Sequence, residues 1–133
     1  MNALSTTAAA PTAAPALASD AAVLSKAVVR AAQLLGFTQR DVAAALGLSE
    51  ATTSRLYAGK YQLSRERAHE WELARLFVRL FRSLDALWGH EDSAHQWLGS
   101  ENRALGARPK TLVRSVEGLV RVVAYLDAAR GRV

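Results

Sequence analysis

Thr38 and Ser49 are hydroxyl residues, each standing just before a short run that reads as helix. Their chemistry is that of a cap, because the hydroxyl oxygen can accept from the free backbone N–H groups of a first helical turn. Gly47 falls between the two runs, where the chain must turn through positive φ. Val42, Ala43, Leu46, Leu48 and Leu56 are the apolar positions that would pack the two runs together. Arg55 and Lys60 leave a basic tip at the far end. A compact helix-turn-helix of this kind presents its second helix to the DNA major groove. The chemistry on offer is recognition of a polyanion, not bond making.

Catalysis finds little support elsewhere. His69, His90 and His95 are the only histidines, and there is no cysteine. The chain therefore has no disulfide framework, thiolate metal site or Cys nucleophile, which fits a reducing cytoplasm. His90 and His95 are five apart and fall on different faces of a helix. No HExxH spacing, glycine-rich phosphate loop or Ser/His/Asp set is legible, so no enzyme activity, metal or cofactor is expected.

With 133 residues the chain allows one compact domain or two very small ones, and at 50% hydrophobic it can build a core. No apolar run is long enough to cross a bilayer, so no membrane partner is expected. The net charge of +5 favours polyanionic partners. It is unevenly spread. Residues 20–62 carry five bases and three acids, residues 64–102 five bases and seven acids, and residues 103–133 seven bases and two acids. Two functional surfaces are implied, one at the helix-turn-helix and one at the C-terminal end.

These surfaces need elements to hold them. Residues 1–19 are almost all Ala, Pro, Ser and Thr, without a charge, and are expected to form a flexible tail. Periodicity predicts helices over 20–35, 39–46 and 50–58, closed by Gly36, Gly47 and Gly59. Phe37 is placed to staple onto the second of them. Ser64 is expected to cap a helix over 65–88, about 36 Å long. Its stripe of Leu73, Leu76, Phe77, Leu80, Phe81, Leu84, Leu87 and Trp88 is wide enough to suggest a dimer seam beyond the core. A helix over 91–98, a turn-rich link over 99–109 and a last helix over 115–129 complete an all-α chain. In the last helix Val116, Leu119, Val120, Val122, Val123 and Leu126 are expected inside, and Gly118 marks a close crossing by another backbone. The organisation is then a tail over 1–19, a helix-turn-helix unit over 20–63, a long connecting or dimerisation helix over 64–90 and a C-terminal unit over 91–133.

The first unit resembles the Xre/Cro-type helix-turn-helix family through Thr38, Gln39, Asp41, Val42, Ala43, Leu46, Gly47, Leu48, Ser49, Ser54, Arg55, Leu56 and Gly59. Thr53 departs, standing where a larger aliphatic residue is usual. The resemblance implies a DNA-binding set of Gln39, Arg40, Ser49, Glu50, Thr52, Ser54, Arg55 and Lys60. Gln39, Arg40 and Lys60 would contact phosphates, and Arg55 would pair with guanine O6 and N7. Glu50 could accept from a cytosine amino group.

The second half carries Ala94, Trp97, Leu98, Asn102, Ala104, Leu105, Gly106, Pro109, Leu112, Val113, Ser115, Gly118, Val122, Leu126 and Gly131. In this order and spacing they are similar to the C-terminal domain of Xre/ParS/MbcA-type antitoxins. Ala107 and Ser115 are mild departures from the family's Gly and Thr. The resemblance implies a cognate toxin of the RES type, which degrades NAD, as one partner. The chain's own operator DNA is the other, bound as a homodimer. Trp97, Leu105, Leu112 and Val122 read as core. Arg108, Lys110, Arg114, Arg121, Arg130, Gly131, Arg132 and Val133 are the expected toxin contacts, with residues 130–133 reaching toward the toxin's active site. The alternative is a free-standing repressor whose C-terminal part only dimerises or binds a ligand. The pattern from Trp97 to Gly131, which a plain repressor would not need, separates the two.

Overall fold

The computed structural model describes residues 19–131, and these form seven helices. They are α1 (Asp20–Leu35), α2 (Gln39–Leu46), α3 (Glu50–Tyr57), α4 (Ala68–Trp88), α5 (Asp92–Gly99), α6 (Pro109–Leu112) and α7 (Val116–Gly131). The expected tail lies outside the described residues, apart from Ser19. Ser19 caps α1, its Oγ accepting from Ala22 N at 3.1 Å.

Local chemistry sets the first three helices. Gly36 (φ 78°) and Gly47 (φ 69°) take the left-handed conformation that ends α1 and α2, where a Cβ would be strained. α1 turns Val28, Ala31, Ala32 and Leu35 inward, with Leu24 half-buried. Phe37 packs edge-on against Phe77 of α4, ring centroids 5.5 Å apart, and so ties the α1–α2 corner to the long helix.

α4 is the axis of the molecule, 21 residues and about 31 Å long. α1 and α7 lie along it, and α2 and α5 also touch it. Phe77, Leu80 and Leu84 are fully buried. α1 and α7, each 16 residues long, cover part of the stripe from within the chain, and Leu73, Leu76, Phe81 and Leu87 stay half-buried. Trp88 is its one largely exposed large member, at 41%. Trp88 stacks on Trp97 of α5, and Trp97 on Tyr125 of α7, with centroids 5.4 and 6.1 Å apart.

The start of α4 also differs from expectation. It begins at Ala68, and Ser64 caps only a turn, accepting from Glu66 N at 3.2 Å. Arg67 holds the chain out of helix by three contacts. Its guanidinium donates to Gln62 O at 2.7 Å and to Glu70 at 3.0 Å, and lies over the Tyr61 ring.

The expected link over 99–109 contains structure. Asn102 and Ala107 form an antiparallel bridge, and Pro109 opens the one-turn helix α6. α6 crosses α7 at Gly118. A Cβ on Gly118 would sit 1.8 Å from Leu112 O, so the close crossing is real and Gly118 permits it. Ser115 caps α7, its Oγ accepting from Gly118 N at 3.0 Å. The inner face of α7 is Leu119, Val122, Val123 and Leu126. Val116 and Val120, expected inside, face solvent at 43% and 46%. One apolar core runs from Val28 to Leu126 across the whole described chain. No helix among the described residues is long and apolar enough to cross a membrane.

Candidate functional site

Thr38 and Asp41 form a reciprocal cap at the start of α2. Thr38 Oγ1 accepts from Asp41 N at 3.1 Å, and Asp41 Oδ2 accepts from Thr38 N at 2.9 Å. Ser49 caps α3, accepting from Thr52 N at 3.0 Å and donating to Thr52 Oγ1 at 2.9 Å. Thr53 is fully buried, and its hydroxyl donates to Ser49 O at 2.9 Å. A polar group therefore sits in the unit's core at little cost, because its own helix satisfies it.

These caps orient the outer surface. Gln39, Arg40, Ser49, Glu50, Ser54, Arg55 and Lys60 are exposed, and Thr52 is half-buried. Arg40 at the start of α2 reaches Glu50 at the start of α3 at 3.4 Å, an exposed pair that joins the two helix N-termini. Arg55 Nη2 lies 3.4 Å from Thr52 Oγ1, with its other N–H groups free to bond outward. Lys60 N donates to Arg55 O at 2.8 Å, which sets Lys60 just beyond the end of α3. The hydroxyls of Ser49 and Thr52 bond each other and the backbone, so they shape the helix start, while Arg55, Lys60, Arg40 and Gln39 present the donors. Such a surface can place a guanidinium on base edges and its other donors on phosphates.

Asp41 is the residue that sequence reasoning passed over as a functional group. It is almost fully buried. Burial works to raise its carboxyl pKa, but the Thr38 N–H and hydroxyl and the Arg114 guanidinium outweigh it and hold the group below its usual range. Arg114 comes from the far end of the chain and donates from Nε to Asp41 Oδ1 at 2.8 Å. Tyr57, at the end of α3, has its hydroxyl pKa pushed up by burial and then by the Asp41 charge.

The C-terminal bases have further partners inside the molecule. Lys110 Nζ donates to Gly36 O at 3.2 Å and lies 5.7 Å over the Phe37 ring. Arg121 Nη2 donates to Leu105 O at 3.0 Å, and Arg130 Nη1 to the buried Ser83 Oγ at 3.0 Å. Arg108 approaches Glu101 at 3.9 Å. These groups lie on more than one side of the C-terminal unit, and all but Arg108 give at least one donor to the fold. Gly131 is the last residue of α7 rather than a release from it. Arg132 and Val133 lie outside the described residues.

The histidines have structural surroundings. His95 Nε2 lies 2.8 Å from Leu34 O, and since a carbonyl only accepts, Nε2 carries the hydrogen. His90 Nδ1 lies 3.0 Å from Asp85 Oδ1. Among the described residues no group of three or more His, Cys, Asp or Glu could hold a metal ion.

Two family models match this chain. Residues 14–79 match the antitoxin Xre-like helix-turn-helix domain, and residues 83–132 match the antitoxin Xre/MbcA/ParS C-terminal toxin-binding domain. No curated protein matches the chain. The first match takes in α1–α3 and the second takes in α5–α7, with α4 passing from one to the other. The chain belongs to the Xre/MbcA/ParS-type antitoxins, with a helix-turn-helix domain followed in sequence by a C-terminal toxin-binding domain.

Proposed function

We propose that this antitoxin neutralises an NAD-degrading toxin of the RES type by covering its active site, and represses its own operon as a dimer through α3. The observation that supports this most is the joining of a helix-turn-helix and a toxin-binding domain through one core and the Arg114–Asp41 pair. One rigid chain can then carry both partners in a defined relation.

On this reading Arg55 reads a base and Gln39, Arg40 and Lys60 grip phosphates. Glu50 keeps Arg40 in place and limits the charge at the groove. Lys110, Arg114, Arg121 and Arg130 each keep N–H donors beyond the one given to the fold, and Arg108 keeps all of its own. Those donors, with Gly131, Arg132 and Val133, contact the toxin and meet its acidic groups or the space of the NAD pyrophosphate. The test is co-expression with the reading frame beside this one. The toxin alone should deplete cellular NAD, and the antitoxin should restore it. If growth stops with NAD unchanged, the toxin has other chemistry and the RES reading fails.

A further inference from the structure

α7 is apolar on two sides. Its inner side is Leu119, Val122, Val123 and Leu126, all buried. Its outer side carries Val116, Val120, Ala124 and Ala128, all exposed and spaced by four. Residues four apart advance by about 6 Å and turn by only about 40°, so the four form one continuous strip about 18 Å long. The outward side of a helix in a water-soluble bundle is ordinarily charged. Here three of the four charged side chains of the helix are drawn off the strip, all but Glu117. Asp127 pairs with Arg79 at 3.0 Å, Arg130 bonds Ser83, and Arg121 bonds Leu105 O.

We propose that this outer strip of α7 is the surface on which the toxin docks. The inference rests on the reading above that the chain binds a toxin, and says where. Two observations choose the toxin over a second copy of this chain. Among the described residues four large hydrophobics are exposed, and three of them, Trp88, Val116 and Val120, lie within the span matched to the toxin-binding domain. The fourth, Val23, lies instead beside a groove between α1 and α4 whose charged lining is Asp20, Glu72 and the four arginines Arg65, Arg75, Arg79 and Arg82, with Asp20–Arg65 and Glu72–Arg75 already paired within the chain. Val23 is the one exposed large hydrophobic on that basic face, whereas Val116 and Val120 lie one turn apart on α7, so the paired exposed apolar side chains of the described residues fall within the toxin-matched span.

The basic residues cannot by themselves form the centre of the interface, because Lys110, Arg114, Arg121 and Arg130 donate to their own fold and the set lies on more than one side. The strip supplies what they lack, a desolvated apolar centre with polar groups at its edge. Val116 and Val120 provide burial. Ala124 and Ala128 let a partner's backbone come close. The toxin surface that fits is a shallow apolar groove or helix face, with a base beside it to meet Glu117, which is exposed at the edge of the strip.

The test uses Val120→Lys in the full chain. Position 120 is exposed and lysine is a good helix former, so the fold should hold. Binding to the purified RES-type protein encoded beside this one is measured by calorimetry. The oligomeric state is followed by light scattering and operator binding by gel shift. Val23→Lys serves as the control on the other face. Val120→Lys should weaken toxin binding on the order of 100-fold, with oligomeric state and operator binding unchanged, and Val23→Lys should leave toxin binding near wild type. Toxin affinity within about threefold of wild type for Val120→Lys would overturn the assignment, as would a fall in oligomeric state of the antitoxin alone. If the unaltered chain does not bind that protein at all, the functional reading falls first and this surface with it.

Discussion

Arg114 Nε donates to Asp41 Oδ1 at 2.8 Å, joining residues 73 positions apart in the chain. Asp41 is also the third residue of α2 and half of its cap. One carboxylate therefore sets the start of a helix and receives the C-terminal unit. Lys110 on Gly36 O and His95 on Leu34 O grip the same α1–α2 corner, so the toxin-binding domain holds the helix-turn-helix at three points.

The pair should matter more through Asp41 than through Arg114. Asp41→Ala removes a cap as well as the pair and should cost about 1–2 kcal/mol. Arg114 is 52% exposed in its side chain, so Arg114→Ala should cost under about 1 kcal/mol. Urea unfolding of both single variants and the double variant measures the coupling. Fully additive losses would mean that the contact contributes nothing.

Acid should remove the Asp41 contribution. Its folded pKa lies below the unfolded value of about 3.9, so the stabilisation is complete above that value and is lost as pH falls through the folded one. The stability gap between wild type and Asp41→Asn should be constant from pH 7 to about 5 and shrink below about pH 4. Urea midpoints taken at each pH would show this. A gap that widens in acid would reverse the sign assigned here.

Gly118→Ala should destabilise the protein although alanine favours helix. The new Cβ would meet Leu112 O at 1.8 Å, and the obstacle is backbone that cannot rotate away. Overpacking of this kind costs about 1–3 kcal/mol, against a helix gain of about 1 kcal/mol. Thermal unfolding should give a lower Tm. An unchanged or raised Tm would mean that α6 moves away freely.

On DNA, Arg55→Ala should lose about 1–3 kcal/mol of specific binding to the chain's own promoter. Lys60→Ala should weaken all sequences alike and flatten the salt dependence. Gel-shift titrations at two salt concentrations separate the two effects. Native affinity in Arg55→Ala would remove it as the base-reading residue.

The bounds of α1 and α2 and the two caps at Thr38 and Ser49 were legible in the sequence, because each depends on groups within three or four residues of one another. Gly118 announced a crossing for the same local reason: a glycine inside a helix is costly unless something needs the space. The crossing partner, α6, was not legible, since four residues opened by Pro109 make too short a period to detect. The start of α4 moved to Ala68 because Arg67 answers to Gln62, Tyr61 and Glu70 rather than to Ser64. The apolar pattern of α7 could not say which side faces in, since both sides qualify. Packing against α4 and α6 chose one and left Val116 and Val120 outside. Composition gave the C-terminal segment its positive charge, but only the tertiary structure decided where each charge goes. A long side chain bonds whatever acceptor the fold brings within about 3 Å, and such acceptors as Asp41, Gly36 and Ser83 are dozens of residues away.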